Sequence, residues 1–189
     1  MCGIFGFSGR TYPKEEIMRE IAYLAGTRGC HSNGVAWLQP DGSIQTKKCL
    51  GKINPDTIFL GVKSKVIIGH CRLSTSGPPT LANAQPLVSR DMAIAHNGTI
   101  RGYATLSLPY KSVLRTACDS ELLLHIPPQK LFTELSQDPY ACLAISNGEL
   151  TAMRRDLPLY KLTTDEGTYY CSRQFRTSAL IQNINYGKH

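Results

Sequence analysis

A chain of 189 residues, 42% hydrophobic and 19% charged with 16 glycines and 11 prolines, has the make-up of a single turn-rich globular domain over residues 1–189, not of a disordered or fibrous protein. No apolar run approaches the roughly 20 residues of a membrane helix, and the N-terminus lacks the basic and long apolar stretches of a secretory signal, so the expected compartment is the cytoplasm. The net charge of +7 comes from scattered Lys and Arg with only short pairs such as Lys47-Lys48, so nucleic acid is not expected to be the primary ligand.

The chain opens Met1-Cys2-Gly3-Ile4. With Met1 trimmed, which the small Cys2 permits, position 2 carries a thiol and a free α-amine on one residue. An α-amine titrates near ~7.7–8.0 and a lysine near ~10.4, so roughly one α-amine in ten is unprotonated at pH 7 and can act as a general base. Taken alone, a cysteine here reads as the first buried residue of a strand; motifs further along decide against that reading.

Gly3 to Phe7, closed by Ser8-Gly9, has the short apolar pattern of a buried strand. Pro13, Glu15 and Glu16 open a helix whose Ile17, Ile21 and Leu24 share one face, and Gly26 ends it. Residues 28–34 read as a loop into a strand over 35–38, and Asp41-Gly42 turns the chain into a second strand over 43–46. Residues 66–70 form a β-branched buried strand, and residues 92–96 another that stops at the turn dipeptide Asn97-Gly98. Pro109 interrupts any helix between Thr99 and Ala117. A helix is expected from Asp119 to His125 and a short one over 129–135. A hairpin about Asn147-Gly148 follows, then strands over 159–162 and 168–171, a helix over 177–181 and a loose tail from Asn183. Helices segregated from mainly antiparallel strands predict an α+β fold of two sheets with helices outside.

The seven cysteines are an odd number without close paired spacing, which predicts neither a disulfide framework nor a zinc cluster. His31, His70 and His96 have no pair spaced for ligation on one element. No metal and no cofactor is expected.

Six motifs in order, Met1-Cys2-Gly3-Ile4, Arg28-Gly29, Gly69-His70-Cys71-Arg72, Asn83-Ala84-Gln85-Pro86, Ala95-His96-Asn97-Gly98 and Asp119-Ser120-Glu121, resemble the class II glutamine amidotransferases. The resemblance runs from Cys2 to about Leu180 and implies a four-layer αββα sandwich of the N-terminal nucleophile hydrolase type. It also implies roles. Cys2 would attack the glutamine side-chain amide through a thioester, with its own α-amine shuttling the proton. Asn97 and Gly98 would form the oxyanion hole. Arg72 would clamp the α-carboxylate, Asp119 would take the α-ammonium, Thr75 would line the glutamine pocket, and Arg28 would orient the N-terminal strand. Where many relatives carry an acidic residue and two small ones after Arg-Gly, this chain has His31-Ser32-Asn33, and Cys71 and Leu73 flank the arginine where other residues are common; these changes bear on the outer contacts of the pocket.

Ammonia freed from glutamine needs an acceptor, and the expectation from a chain that ends with this domain is a separate ammonia-accepting synthase subunit. Sugar phosphate, nucleotide, nucleobase and amino acid are all open as acceptors. Two other readings stand beside this one: hydrolysis of a γ-glutamyl amide other than glutamine, and a catalytically idle binding subunit.

Overall fold

The computed structural model describes residues 1–74, 77–127, 130–131 and 138–183. One sheet has seven strands: β1 (Gly3–Gly9), β2 (Ser32–Leu38), β3 (Ile44–Leu50), β4 (Val66–Arg72), β9 (Tyr160–Thr163), β10 (Gly167–Cys171) and β11 (Ala179–Leu180). Its spatial order is β11-β9-β10-β1-β4-β2-β3. The other sheet has the order β5-β6-β7-β8, from β5 (Leu87–Val88), β6 (Met92–Gly98), β7 (Tyr140–Ser146) and β8 (Glu149–Arg155). All the strand pairings are antiparallel. Among the described residues the helices are α1 (Glu15–Gly26), α2 (Pro55–Ile58) and α3 (Tyr103–Leu106), with 3₁₀ turns at Leu108–Tyr110 and Asp119–Leu124.

The period-2 alternation of the strands sorts their side chains into three apolar layers. On β1, Phe5 and Phe7 face α1, while Ile4 faces the second sheet. Ala93, Ala95, Ala141 and Leu143 meet Ile4 and Ile68 between the sheets, and the small alanines let the two sheets approach. Ile94, Cys142 and Ala144 point the other way, onto Leu122, Leu123 and Ile126. Helix α1 buries Ile17, Met18, Ile21, Ala22 and Ala25 on the outer face of the seven-stranded sheet. Full burial of a side chain such as Ile21 contributes about 1.5–3 kcal/mol. Helix, sheet, sheet and helical cover are the four layers of an αββα sandwich, and the α+β expectation holds.

Several local expectations change. Residues 177–181 form no helix, because Ala179 and Leu180 pair with Lys161 and Tyr160 as β11 on the open edge of β9. Asn97-Gly98 is not a turn: β6 runs through both residues, which pair with Ala141 and Tyr140 of β7. Gly26 is the last helical residue, and its lack of a side chain serves packing, since a Cβ there would lie 2.5 Å from the Ile53 Cγ2. The strand expected over 43–46 reaches Leu50, and β2 begins as early as Ser32, within the segment read as a loop. The helix expected from Asp119 is a 3₁₀ turn. Apart from residues 130–131, the stretch of the short helix expected over 129–135 lies outside the described residues, as does the tail beyond Asn183. The hairpin about Asn147-Gly148 is present, with φ of 52° and 80° at the two turn residues.

Candidate active site

Cys2 sits just ahead of β1, whose central position between β10 and β4 fixes it from both sides. Gly3 is pressed against the end of α1, where a Cβ would lie 2.1 Å from the Ala25 carbonyl oxygen. Behind the strand, Arg28 donates from Nε to the Cys2 carbonyl at 2.9 Å and from Nη1 to the Ser172 carbonyl at 3.5 Å. On the other side, Leu73 holds the sulfur with both halves of its backbone. Its N–H donates to Cys2 Sγ at 3.4 Å, and its carbonyl accepts from the thiol at 3.5 Å.

Burial pushes the Cys2 thiol above its ordinary value, and Asp119 adds to the rise; the Leu73 backbone, the N-terminal charge and the Arg72 guanidinium oppose it. These influences place Arg72 and Asp119 close enough to act on the sulfur. Both are buried. Arg72 ends β4 and donates from Nη1 to the Pro78 carbonyl at 3.1 Å. Asp119 accepts the Ile100 N–H at 2.7 Å on Oδ2 and the Ser120 N–H at 2.9 Å on Oδ1. Thr75 lies outside the described residues.

A cavity of about 260 Å³ opens beside the sulfur. Met1, Cys2, Leu73, Asn97 and Gly98 are among the residues that line it. Asn97 is 1% exposed, and its Nδ2 finds no hydrogen-bond partner among the described residues. A buried, unpaired amide donor is costly unless something fills it, and a developing oxyanion is a fitting partner. Gly98 follows with a φ of 153°, and a Cβ there would come within 2.7 Å of the His96 Nε2, so only glycine fits both the angle and the space.

The strand end that carries Asn97-Gly98 is tied down by a buried polar network. His70 Nε2 donates to the His96 carbonyl at 3.1 Å, bridging the two sheets, and His96 Nδ1 lies 2.8 Å from Ser120 Oγ. Gln85 receives the His96 N–H at 2.8 Å and donates to Ser120 Oγ at 3.1 Å. Asn83 donates to the Pro78 carbonyl at 2.9 Å and accepts the Ala117 N–H at 2.9 Å. The Asn83-to-Pro86 motif thus works as scaffolding, linking the loop after β4 to the Asp119 turn. Burial pushes His70 down to about 3 and His96 down to about 4, so both rings are neutral at pH 7.

The structure brings Cys2, Asn97 and Gly98 together on one cavity and sets Arg72 and Asp119 nearby, off its lining. The sequence did not announce the rest of that lining, which is made by Thr99, Arg101, Asp138, Pro139 and Leu157. Asp138 takes the Arg101 N–H at 2.8 Å and its Nε at 3.3 Å. No local motif announces a pair 37 residues apart; the Asp-Pro step before a strand was the only signal. Among the described residues no group of three or more His, Cys, Asp or Glu is arranged to hold a metal ion.

Two facing antiparallel sheets, with a cysteine at the chain start beside an unpaired buried amide, have the architecture of an N-terminal nucleophile hydrolase. The chain belongs to the class II glutamine amidotransferases: the family model described as "Glutamine amidotransferases class-II" matches residues 58–161, more than half of its length. It is 35% identical over 136 residues to the glutamine–fructose-6-phosphate aminotransferase of Aeropyrum pernix, covering 67% of this chain and 22% of that protein. With the same-named enzyme of Halobacterium salinarum it shares 31% over 203 residues, covering 98% of this chain and 33% of the relative. The chain therefore spans a third or less of the length of these two relatives. Among solved structures, the glutamine phosphoribosylpyrophosphate amidotransferase of B. subtilis superposes with a TM-score of 0.71 at 22% identity, over 90% of this chain and 42% of that one. A glutamine aminotransferase class-II domain protein from Silicibacter pomeroyi gives 0.58 at 14% identity, over 97% and 92%. Both structural likenesses concern the fold.

Proposed function

We propose that the chain hydrolyses the side-chain amide of glutamine to glutamate and ammonia through a thioester on Cys2. The observation that carries this reading is the shared cavity of Cys2, the unpartnered Asn97 amide and Gly98. With Met1 removed, the Cys2 amine takes the thiol proton and the sulfur attacks the γ-carbonyl carbon. Asn97 Nδ2 and the Gly98 N–H receive the resulting oxyanion, and the collapse of the tetrahedral species breaks the carbon–nitrogen bond while the amine returns its proton to the departing ammonia. Water then adds to the thioester and releases glutamate and the thiol. Arg72 grips the α-carboxylate and Asp119 the α-ammonium, with Thr75 as a further pocket residue; Arg28 holds the strand that carries the nucleophile. The amine serves as base and acid because no other titratable group in the reading sits at both bonds.

Ammonia loses its nucleophilic lone pair when it is protonated in neutral water, which favours direct transfer. We read the acceptor as a separate synthase subunit. All seven cysteines are free thiols, which supports the reducing cytoplasm as the place of the reaction.

The test uses protein whose intact mass shows Met1 removed. It releases ammonia from glutamine; Cys2→Ala folds normally and loses turnover by roughly 10³-fold or more. A glutamine analogue with an electrophilic γ-group labels the protein once, at Cys2. Labelling at Cys30 or Cys49 with Cys2 untouched overturns the assignment, as does full activity in protein that keeps Met1.

A further inference from the structure

We infer that the cavity beyond Cys2 is a binding site for the amine-side group of a substituted γ-glutamyl amide, and that Arg101 receives a carboxylate on that group. The inference rests on the Cys2 thioester reading and extends it from glutamine to γ-glutamyl amino acids.

Direction is the first argument. The groups read as grips for the glutamate half, Arg72 and Asp119, are buried and take no part in the lining of this cavity. The proton donor for the departing nitrogen must stand on the opposite side of the reacting carbon, beside that nitrogen. That donor is the Cys2 amine, which is freed by removing Met1, and Met1 lines the cavity in the chain described. The scissile nitrogen and whatever it carries therefore point into the cavity.

Size and chemistry follow. A leaving ammonia needs about the ~30 Å³ that a water molecule occupies. The cavity is about 260 Å³ before Met1 is removed, the scale of an amino-acid residue. Leu73, Pro139 and Leu157 supply apolar lining, and Arg101 and Asp138 supply the charged side chains. The Asp138 carboxylate is already occupied by the Arg101 backbone N–H and by Nε. The Arg101 side chain is 86% exposed and its terminal guanidinium nitrogens have no partner among the described residues. Held at Nε and open at its tip, that guanidinium is a preset fork for a carboxylate.

The reaction balances as a hydrolysis. The Cys2 sulfur displaces the amino acid from the γ-carbonyl, the Cys2 amine protonates its nitrogen, and water returns glutamate and the free thiol. No oxidant or further reactant is needed.

The experiment compares γ-glutamylglycine with γ-glutamylmethylamide, which lacks only the carboxylate, using Met1-free protein and glutamine as reference. Wild type should cleave γ-glutamylglycine with a kcat/KM roughly three- to fivefold above that of the methylamide, the scale of an exposed charge-assisted pair. Arg101→Gln should bring that ratio close to one, and Arg101→Lys should keep part of it; because the readout is a ratio within one protein, a general loss of folding does not imitate it. A wild-type ratio near one, an Arg101→Gln ratio equal to wild type, or turnover of glutamine alone overturns the inference and leaves the glutaminase reading standing. Failure to cleave any γ-glutamyl compound, glutamine included, brings down both.

Discussion

On the outer face of the seven-stranded sheet, α1 pairs its own backbone groups and presents Ile17, Met18, Ile21, Ala22 and Ala25 to an apolar layer. On the outer face of the four-stranded sheet, residues 99–126 carry only a short helix and 3₁₀ turns, and carboxylates take the backbone donors that no long helix pairs. Glu121 receives the N–H groups of Arg115 and Thr116 at 2.8 and 2.7 Å, and Asp119 receives that of Ile100. From outside the segment, Asp138 receives that of Arg101. Both covers bury an apolar layer, but it is the second that fastens its backbone N–H groups with carboxylates. The charged cover supplies Asp119 and two residues of the cavity lining, Thr99 and Arg101, so the polar staples stand on the side of the molecule that borders the cavity.

The largest effect that would sharpen this contrast is Ile21→Ala. Ile21 is fully buried under α1, and its truncation should cost about 2–5 kcal/mol in urea unfolding. Glu121→Gln tests the other cover. It keeps one carbonyl acceptor but turns an amide donor towards a backbone N–H, for an expected loss of about 1–3 kcal/mol. If Glu121→Gln proved neutral while Ile21→Ala cost several kcal/mol, the charged cover would not be held by its carboxylates and the contrast would fail. A further effect, spread over the pH scale, lies between the covers. His70 and His96 titrate near ~6.5 in an unfolded chain. In the fold they are pushed down to about 3 and about 4. Below pH ~6.5 the unfolded state therefore binds more protons than the folded state, so stability falls with falling pH, by about 1.4 kcal/mol per pH unit per histidine until the folded values are reached. Urea midpoints at pH 7, 6 and 5 measure this, and His70→Gln should remove about half of the slope.

How far the sequence carried the reading depends on the range of the forces involved. Local signals sufficed for the buried strands at 66–70 and 141–145, for α1 and for the Asn147-Gly148 turn, because β-branched runs, helical spacing and turn dipeptides act within a few residues. Of the expected site residues, Asn97 and Gly98 line the same cavity as Cys2, and Arg28 holds the Cys2 carbonyl. What local pattern could not carry is pairing. Lys47-Lys48-Cys49 reads as no strand, yet it completes β3 because β2 offers a partner. Residues 177–181 read as a helix until β9 offers an edge. Asn97-Gly98 carries the same turn signal as Asn147-Gly148, and β7 overrides it by pairing both residues. Arg101 and Asp138 lay beyond reach for the same reason, since their meeting is made by the fold.

The Leu73 cradle treats the two forms of the nucleophile differently. A thiol has one hydrogen to give and gives it to the Leu73 carbonyl, while accepting weakly from the Leu73 N–H. A thiolate has no hydrogen left, so the carbonyl dipole repels it and the N–H holds it more firmly. Losing the proton therefore trades one Leu73 contact for the other: the bond to the carbonyl is given up, and the N–H of the preceding peptide unit becomes the group that steadies the reactive sulfur.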